Sequence, residues 1–166
     1  VYEAIRLATP GGLGRVKEMD LRDAAPSDLI QAMRLAAERD LVARQYTNCF
    51  AEVLTHVVPW LVEGQAQGWS LTTAIIHTHL RLLAEFPDSL IARKCGADVA
   101  HEAADRARRA LACGRPGDHV FERALSDLDF WLRSDGHRRN PGTSADLMAA
   151  GLFAALREGK LVSPFR

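Results

Sequence analysis

The chain has 166 residues, 48% hydrophobic and 25% charged, a composition suited to one water-soluble domain with a substantial core. Its 21 basic residues balance 21 acidic ones, so there is no electrostatic footprint for nucleic acid or for an anionic membrane. No run approaches the roughly 20 apolar residues that a membrane helix needs, and no signal-peptide pattern opens the chain, so a cytoplasmic location is expected.

Taken in order, nearly every long segment repeats apolar residues at helical spacing, and alternating β-branched runs are absent. The expectation is an all-α fold, a compact bundle of about six to eight helices forming one domain over residues 1–166. The first segment, VYEAIRLA, enters a helical pattern at once from Val1 with no start signal upstream, which suggests a chain cut from a longer, all-helical one. Pro10 and Gly11 end it. A loop follows, TPGGLGRVKEMDLRDAAP, with the acidic pair Glu18 and Asp20. From a cap at Ser27, the stretch to about Gly64 has no breaker before Pro59 and reads as one long helix or two joined by a bend. Ser70 opens the next helix, which stops before Pro87. PDSLIARKCG is a short helix ended by Gly96, and two more run over about 97–112 and 118–134, separated by CGRPGD. The last helix follows NPGTSADL, where Thr143 or Ser144 is placed to cap and Asp146 to complete a capping box, and Gly159 closes it.

Several residues carry possible chemistry. Gly11, Gly12 and Gly14 would let backbone amides approach a phosphate, although a plain turn explains them as well and no P-loop lysine follows. Asp40 and Arg44, four apart, share a helix face bordered by apolar residues and either pair with each other or meet a ligand. Arg93 and Lys94 suit the C-terminal end of a short helix and equally suit a phosphate. The loop before Thr143 and Ser144 is a helix start, and also the kind of place where an anion binds. His77 and His79 point to different faces, the other histidines are scattered, and each reads as a solvated or core-satisfied ring with no transition-metal site. Cys49, Cys95 and Cys113 lack zinc spacing and read as buried or half-buried thiols, and the aromatic residues read as packing.

AIRLATPGGLG, the acidic pair after it, AAERDLVARQY, FPDSLIARK and NPGTSADLMAAGLF together resemble the C-terminal part of the triphosphoribosyl-dephospho-CoA synthase family. FPDSLIARK and ARQY look more like a divergent branch associated with one-carbon, methanopterin-type cofactor metabolism. The resemblance implies an ATP-dependent transferase that moves a 5-triphosphoribosyl group to the 2′-hydroxyl of 3′-dephospho-CoA, or a related acceptor, and releases adenine in prosthetic-group biosynthesis. Displacing adenine makes an oxocarbenium-like centre beside a triphosphate, so carboxylates and cations should converge. On this reading Asp40 and Asp146 are the catalytic candidates, with Asp20 and Asp40 holding Mg²⁺. Gly11, Gly12, Gly14, Arg44, Arg93, Lys94, Asn140, Thr143 and Ser144 would bind nucleotide and phosphate. The N-terminal half of such a protein, or a second copy in an oligomer, would complete the site. The alternative is a helical nucleotide-binding or assembly module of a cofactor pathway without turnover.

Overall fold

The computed structural model describes residues 28–162 and Leu7. Apart from Leu7, which is helical, the helix expected over residues 1–8 lies outside the described residues, as do the glycine loop with Gly11, Gly12, Gly14 and Asp20 and the Ser27 cap. Among those described, eight α-helices and one π-helical segment occur and no strand, as the periodicity predicts.

The stretch expected to be one or two helices is instead three helical pieces. Helix α1 is Leu29–Ala36 and α2 is Leu41–Thr47; a π-helical turn, Val53–Val57, then runs directly into α3, Val58–Ala66. Asp28 caps α1, accepting from the amides of Ile30 and Gln31. Asp40 breaks the chain before α2 by adopting an extended conformation, and its Oδ1 accepts from Val42 N at 2.9 Å and Ala43 N at 3.1 Å. After α2, Cys49 and Phe50 both take left-handed backbone angles, φ 59° and 58°. Such angles are costly for residues with a Cβ, and neither Gly nor Pro announces the break.

The later elements follow their sequence signals. Ser70 caps α4, Leu71–Glu85. Asp88 caps α5, Ser89–Cys95, and Gly96 turns the chain at φ 102° into α6, Ala97–Ala112. Helices α7, His119–Arg133, and α8, Gly142–Arg157, complete the bundle.

Helix α4 stands between two cores. Its Leu82 joins Leu41, Val53, Val57, Leu61, Leu147 and Met148 in one, built from α2, the π turn, α3 and α8. Its Leu80 and Leu83 join the other, with Ile91 of α5, Phe121 and Leu128 of α7, and the alanine face of α6. Ala100, Ala103, Ala107 and Ala110 recur at helical spacing, and their small side chains let α6 lie close to its neighbours. Gly151 serves the same end on α8: a Cβ there would stand 2.3 Å from Cγ1 of Val57. This close approach packs the middle of α8 against the π-helical turn.

Two expectations are corrected by exposure. Cys49 and Cys113 are exposed, since they sit at the left-handed bend and just past the end of α6, although all three cysteines are free. Phe130 is 75% exposed because it lies on the outer face of α7, away from Leu128.

Candidate functional site

The starts of α2, α5 and α8 meet, and the meeting is organised by Asp88. This carboxylate is fully buried. Oδ1 accepts from Leu90 N at 2.9 Å and Ile91 N at 3.1 Å, capping its own helix. Oδ2 accepts from Ser144 N at 2.7 Å and from Ser144 Oγ at 2.9 Å, which ties the first turn of α8 to α5. Next door, Ser89 Oγ accepts from Leu41 N at 3.2 Å and lies 3.0 Å from Thr143 Oγ1. Four orphan donors at helix starts are thus satisfied by Asp88 and Ser89.

This arrangement corrects the expected capping box. Helix α8 begins at Gly142 with Pro141 in the cap position and no side-chain cap, and Asp88, reaching across from α5, takes the amide that a local cap would have taken. Thr143 and Ser144 are buried, with their hydroxyls turned inward onto Ser89 and Asp88. Both hydroxyls therefore serve the junction of helices.

Beside the junction opens a cleft of about 420 Å³, lined by Arg39, Asp40, Arg44, Phe86, Ser89 and Arg93 among others. Asp40 and Arg44 do not pair with each other, because the cap geometry sends Asp40 Oδ2 to Arg93 Nη1 at 2.7 Å. Arg44 turns to Glu52, its Nε 2.8 Å from Oε1, an ion pair without hydrogen-bond alignment, and its guanidinium lies 5.8 Å from the Phe86 ring centre. Glu52 Oε2 in turn accepts from Gln45 Nε2 and Asn48 Nδ2, both at 2.7 Å. Burial pushes the Glu52 carboxyl up, but the hydrogen bonds from Asn48, its own backbone and Gln45, with the Arg44 charge, hold it below its ordinary value. This network spans the left-handed bend at Cys49 and Phe50 and fixes where Arg44 points.

Asp146 lies one turn into α8, exposed and outside the cleft lining. Its carboxyl is raised above the ordinary value, first by lost hydration and then by the charges of Asp88 and Asp40. Lys94 is exposed and does not line the cleft. Asn140 faces elsewhere, onto a second cavity of about 740 Å³ between α4 and α7.

That cavity is lined by His79, expected to be solvated or satisfied, whose ring is satisfied only in part. Its Nε2 is out of contact with bulk water and has no hydrogen-bond partner. Burial lowers the His79 pKa, while Asp88 and the Pro141 carbonyl pull the other way. His77 packs against Trp69 at 4.7 Å between ring centres.

Of the two residues expected to hold Mg²⁺, Asp20 and Asp40, only Asp40 is among the described residues. Asp40 has one oxygen committed to two amides and the other to Arg93, and among the described residues no group of three His, Cys, Asp or Glu side chains converges. Asp20 lies outside them.

Sequence reasoning found Asp40, Arg44, Arg93 and Asp146, which the fold gathers around one corner, and missed Arg39, Glu52, Asp88 and His79. Asp88 carried a signal, an Asp after Pro at the start of an apolar run, that reads as a cap and says nothing of Ser144. Glu52 and Arg39 carried none.

Comparison with known proteins agrees with the resemblance read from the motifs. A "Probable 2-(5''-triphosphoribosyl)-3'-dephosphocoenzyme-A synthase" of Azotobacter vinelandii is 29% identical over 115 residues, 69% of this chain. The chain spans about 39% of the length of that relative. No solved structure matches. The family model described as CitG, ATP:dephospho-CoA triphosphoribosyl transferase, matches residues 1–164, and the chain belongs to that family.

Proposed function

We propose that the chain is part of a cytoplasmic transferase that moves the 5-triphosphoribosyl group of ATP to the 2′-hydroxyl of 3′-dephospho-CoA and releases adenine. The observation that carries this reading is the cleft in which Arg39, Arg44 and Arg93 gather beside Asp40, with Asp146 close by. A triphosphate brings about four negative charges and needs forked cations held in place. Glu52 holds Arg44 through Nε, leaving both terminal nitrogens for phosphate oxygens. Asp40 does the same for Arg93 through one Nη. Asp40 thus acts as a positioning residue.

Departure of adenine from C1′ places developing charge on its N9 and is assisted by a proton delivered to the base. Asp146 suits this task, because lost hydration, and then the charges of Asp88 and Asp40, favour its protonated form. The glycosidic electron pair leaves with adenine, the acceptor oxygen forms the new bond to C1′, and the hydroxyl proton is released to a base.

The test is adenine release from ATP by a full-length protein containing this chain, with and without 3′-dephospho-CoA. Release that depends on the acceptor and falls at least 100-fold in Asp146→Asn supports the reading. ATP binding with no adenine released under any condition refutes it and favours a nucleotide-binding module.

A further inference from the structure

An outer helix of a bundle ordinarily buries one apolar stripe and turns polar residues to water. Helix α8 departs from that rule. Its inner face, with Leu147, Met148, Gly151 and Ala155, is buried. Its outer face is apolar as well: Ala145 and Ala149 are exposed, and Phe153 and Leu156 are 64% and 47% exposed. An uncovered apolar face of this kind marks a contact with another surface.

The charges on α8 show which surface fits. Asp146 and Arg157 are its charged residues, both are exposed, and among the described residues neither makes an ion pair. They stand about three turns apart and therefore on one line along the helix. Between them on that line come Ala150, four residues after Asp146, and Phe153, four before Arg157. Read in the opposite direction, the stripe Asp146, Ala150, Phe153, Arg157 offers base where it had acid and a large side chain where it had a small one. It is complementary to itself, which is what a two-fold interface requires.

We propose that α8 pairs antiparallel with α8 of a second copy, about a two-fold axis passing between Gly151 and Leu152, and that this pair is a resting form of the transferase. Asp146 then meets the partner's Arg157, and Phe153 fills the space over the partner's Ala150, each contact occurring twice. Ala149 and Leu156 flank the stripe and widen it. The pairing stands on this face alone, whereas the resting role rests on the transferase reading above. A carboxylate held ionised by a guanidinium has no proton to give to adenine, and the paired helix also covers it. Separation of the copies uncovers Asp146. A helix of 16 residues is about 24 Å long, so the contact is small and its dissociation falls in the micromolar range, which lets the copies separate.

The test uses a full-length protein containing this chain. Sedimentation should show a dimer that dissociates on dilution. Arg157→Gln, which removes two exposed ion pairs, should weaken it by about 2- to 30-fold. Arg157→Asp sets like charges together and should weaken it further, and adding Asp146→Arg to that variant should restore the dimer. Phe153→Glu, a change at an exposed position, should leave a monomer with an unaltered unfolding midpoint. Adenine release per chain should rise on diluting the wild type through its dissociation range and stay constant in Phe153→Glu.

A monomer at every concentration overturns the pair, and a lowered unfolding midpoint in Phe153→Glu would then show that another part of the same protein covers the face. A dimer indifferent to Arg157→Asp, or not restored by the charge reversal, uses another surface and overturns it equally. A dimer whose release per chain does not change on dilution overturns the resting role. No adenine release from wild type or from Phe153→Glu, with the dimer behaving as described, sinks the transferase reading and leaves the pair standing.

Discussion

Replacing Asp88 tests the structural heart of the site. In Asp88→Ala the first turn of α5 loses its cap, worth about 1 kcal/mol. The Ser144 amide, 2.7 Å from Oδ2 and fully buried, is left without an acceptor, which costs about 1–3 kcal/mol, and the Ser144 hydroxyl loses its partner as well. The sum is about 3–5 kcal/mol. Asp88→Asn keeps the shape but offers one oxygen where two are needed. Whichever way the amide is turned, one helix start faces its NH₂ group, donor against donor, at a cost of about 1–3 kcal/mol. Ser144→Ala removes only the hydroxyl contact, about 1 kcal/mol. Urea unfolding followed by circular dichroism should therefore rank the midpoints wild type, Ser144→Ala, Asp88→Asn, Asp88→Ala. With a slope of about 2 kcal/mol/M, Asp88→Ala should fall by about 1.5–2.5 M. An Asn variant within about 0.5 kcal/mol of wild type, or an Ala variant no worse than Ser144→Ala, would refute the claim that one carboxylate joins the two helices.

Arg44→Lys keeps the charge but loses the fork and the Nε contact to Glu52, so ATP affinity by calorimetry should drop about tenfold; wild-type affinity would show that Arg44 does not bind phosphate. Gly151→Ala should destabilise by about 1–3 kcal/mol, against the usual helix gain of up to about 1 kcal/mol, because the new Cβ meets Val57. Val57→Ala should recover part of that loss in the double variant, and additivity of the two changes would count against the contact. His77 and His79 both have lowered pKa values, so the unfolded chain takes up protons near pH 6.5 that the folded rings refuse. Stability should fall between pH 7 and 5, with a shallower slope in His79→Gln. Below about pH 4.5 the lowered Glu52 carboxyl adds a further loss, since its contribution is present above the unfolded value and disappears through the folded one. Asp146, raised, acts in the opposite sense.

The helices from α4 onward were legible because their ends are written locally. Ser70, Asp88 after Pro87, Gly96, the CGRPG turn and the Pro141–Gly142 pair each act within a few residues of themselves. The break-up of the segment before α4 was not. Asp40 looks like half of an i,i+4 pair, and only the extended backbone there shows that it is a cap. The left-handed bend at Cys49 and Phe50 is held by Gln45, Asn48 and Glu52, ordinary helix-surface residues whose meaning exists only once the bend has formed.

The same distinction governs the candidate site. Asp40 finds Arg93 across 53 residues and Asp88 finds Ser144 across 56, contacts that no periodicity encodes. The NPGTSADL loop shows the opposite hazard. Its hydroxyls and amides invite a phosphate when read locally. In the fold Ser144 is met by a buried carboxylate and Thr143 by a neighbouring serine, which leaves Asn140 on the cavity between α4 and α7 and Asp146 exposed on α8. A carboxylate already seated at a helix start repels a phosphate from the same amides, and the cations for a triphosphate must then come from elsewhere. On the transferase reading proposed above, Arg39, Arg44 and Arg93 would supply them, from the α1–α2 link, α2 and α5.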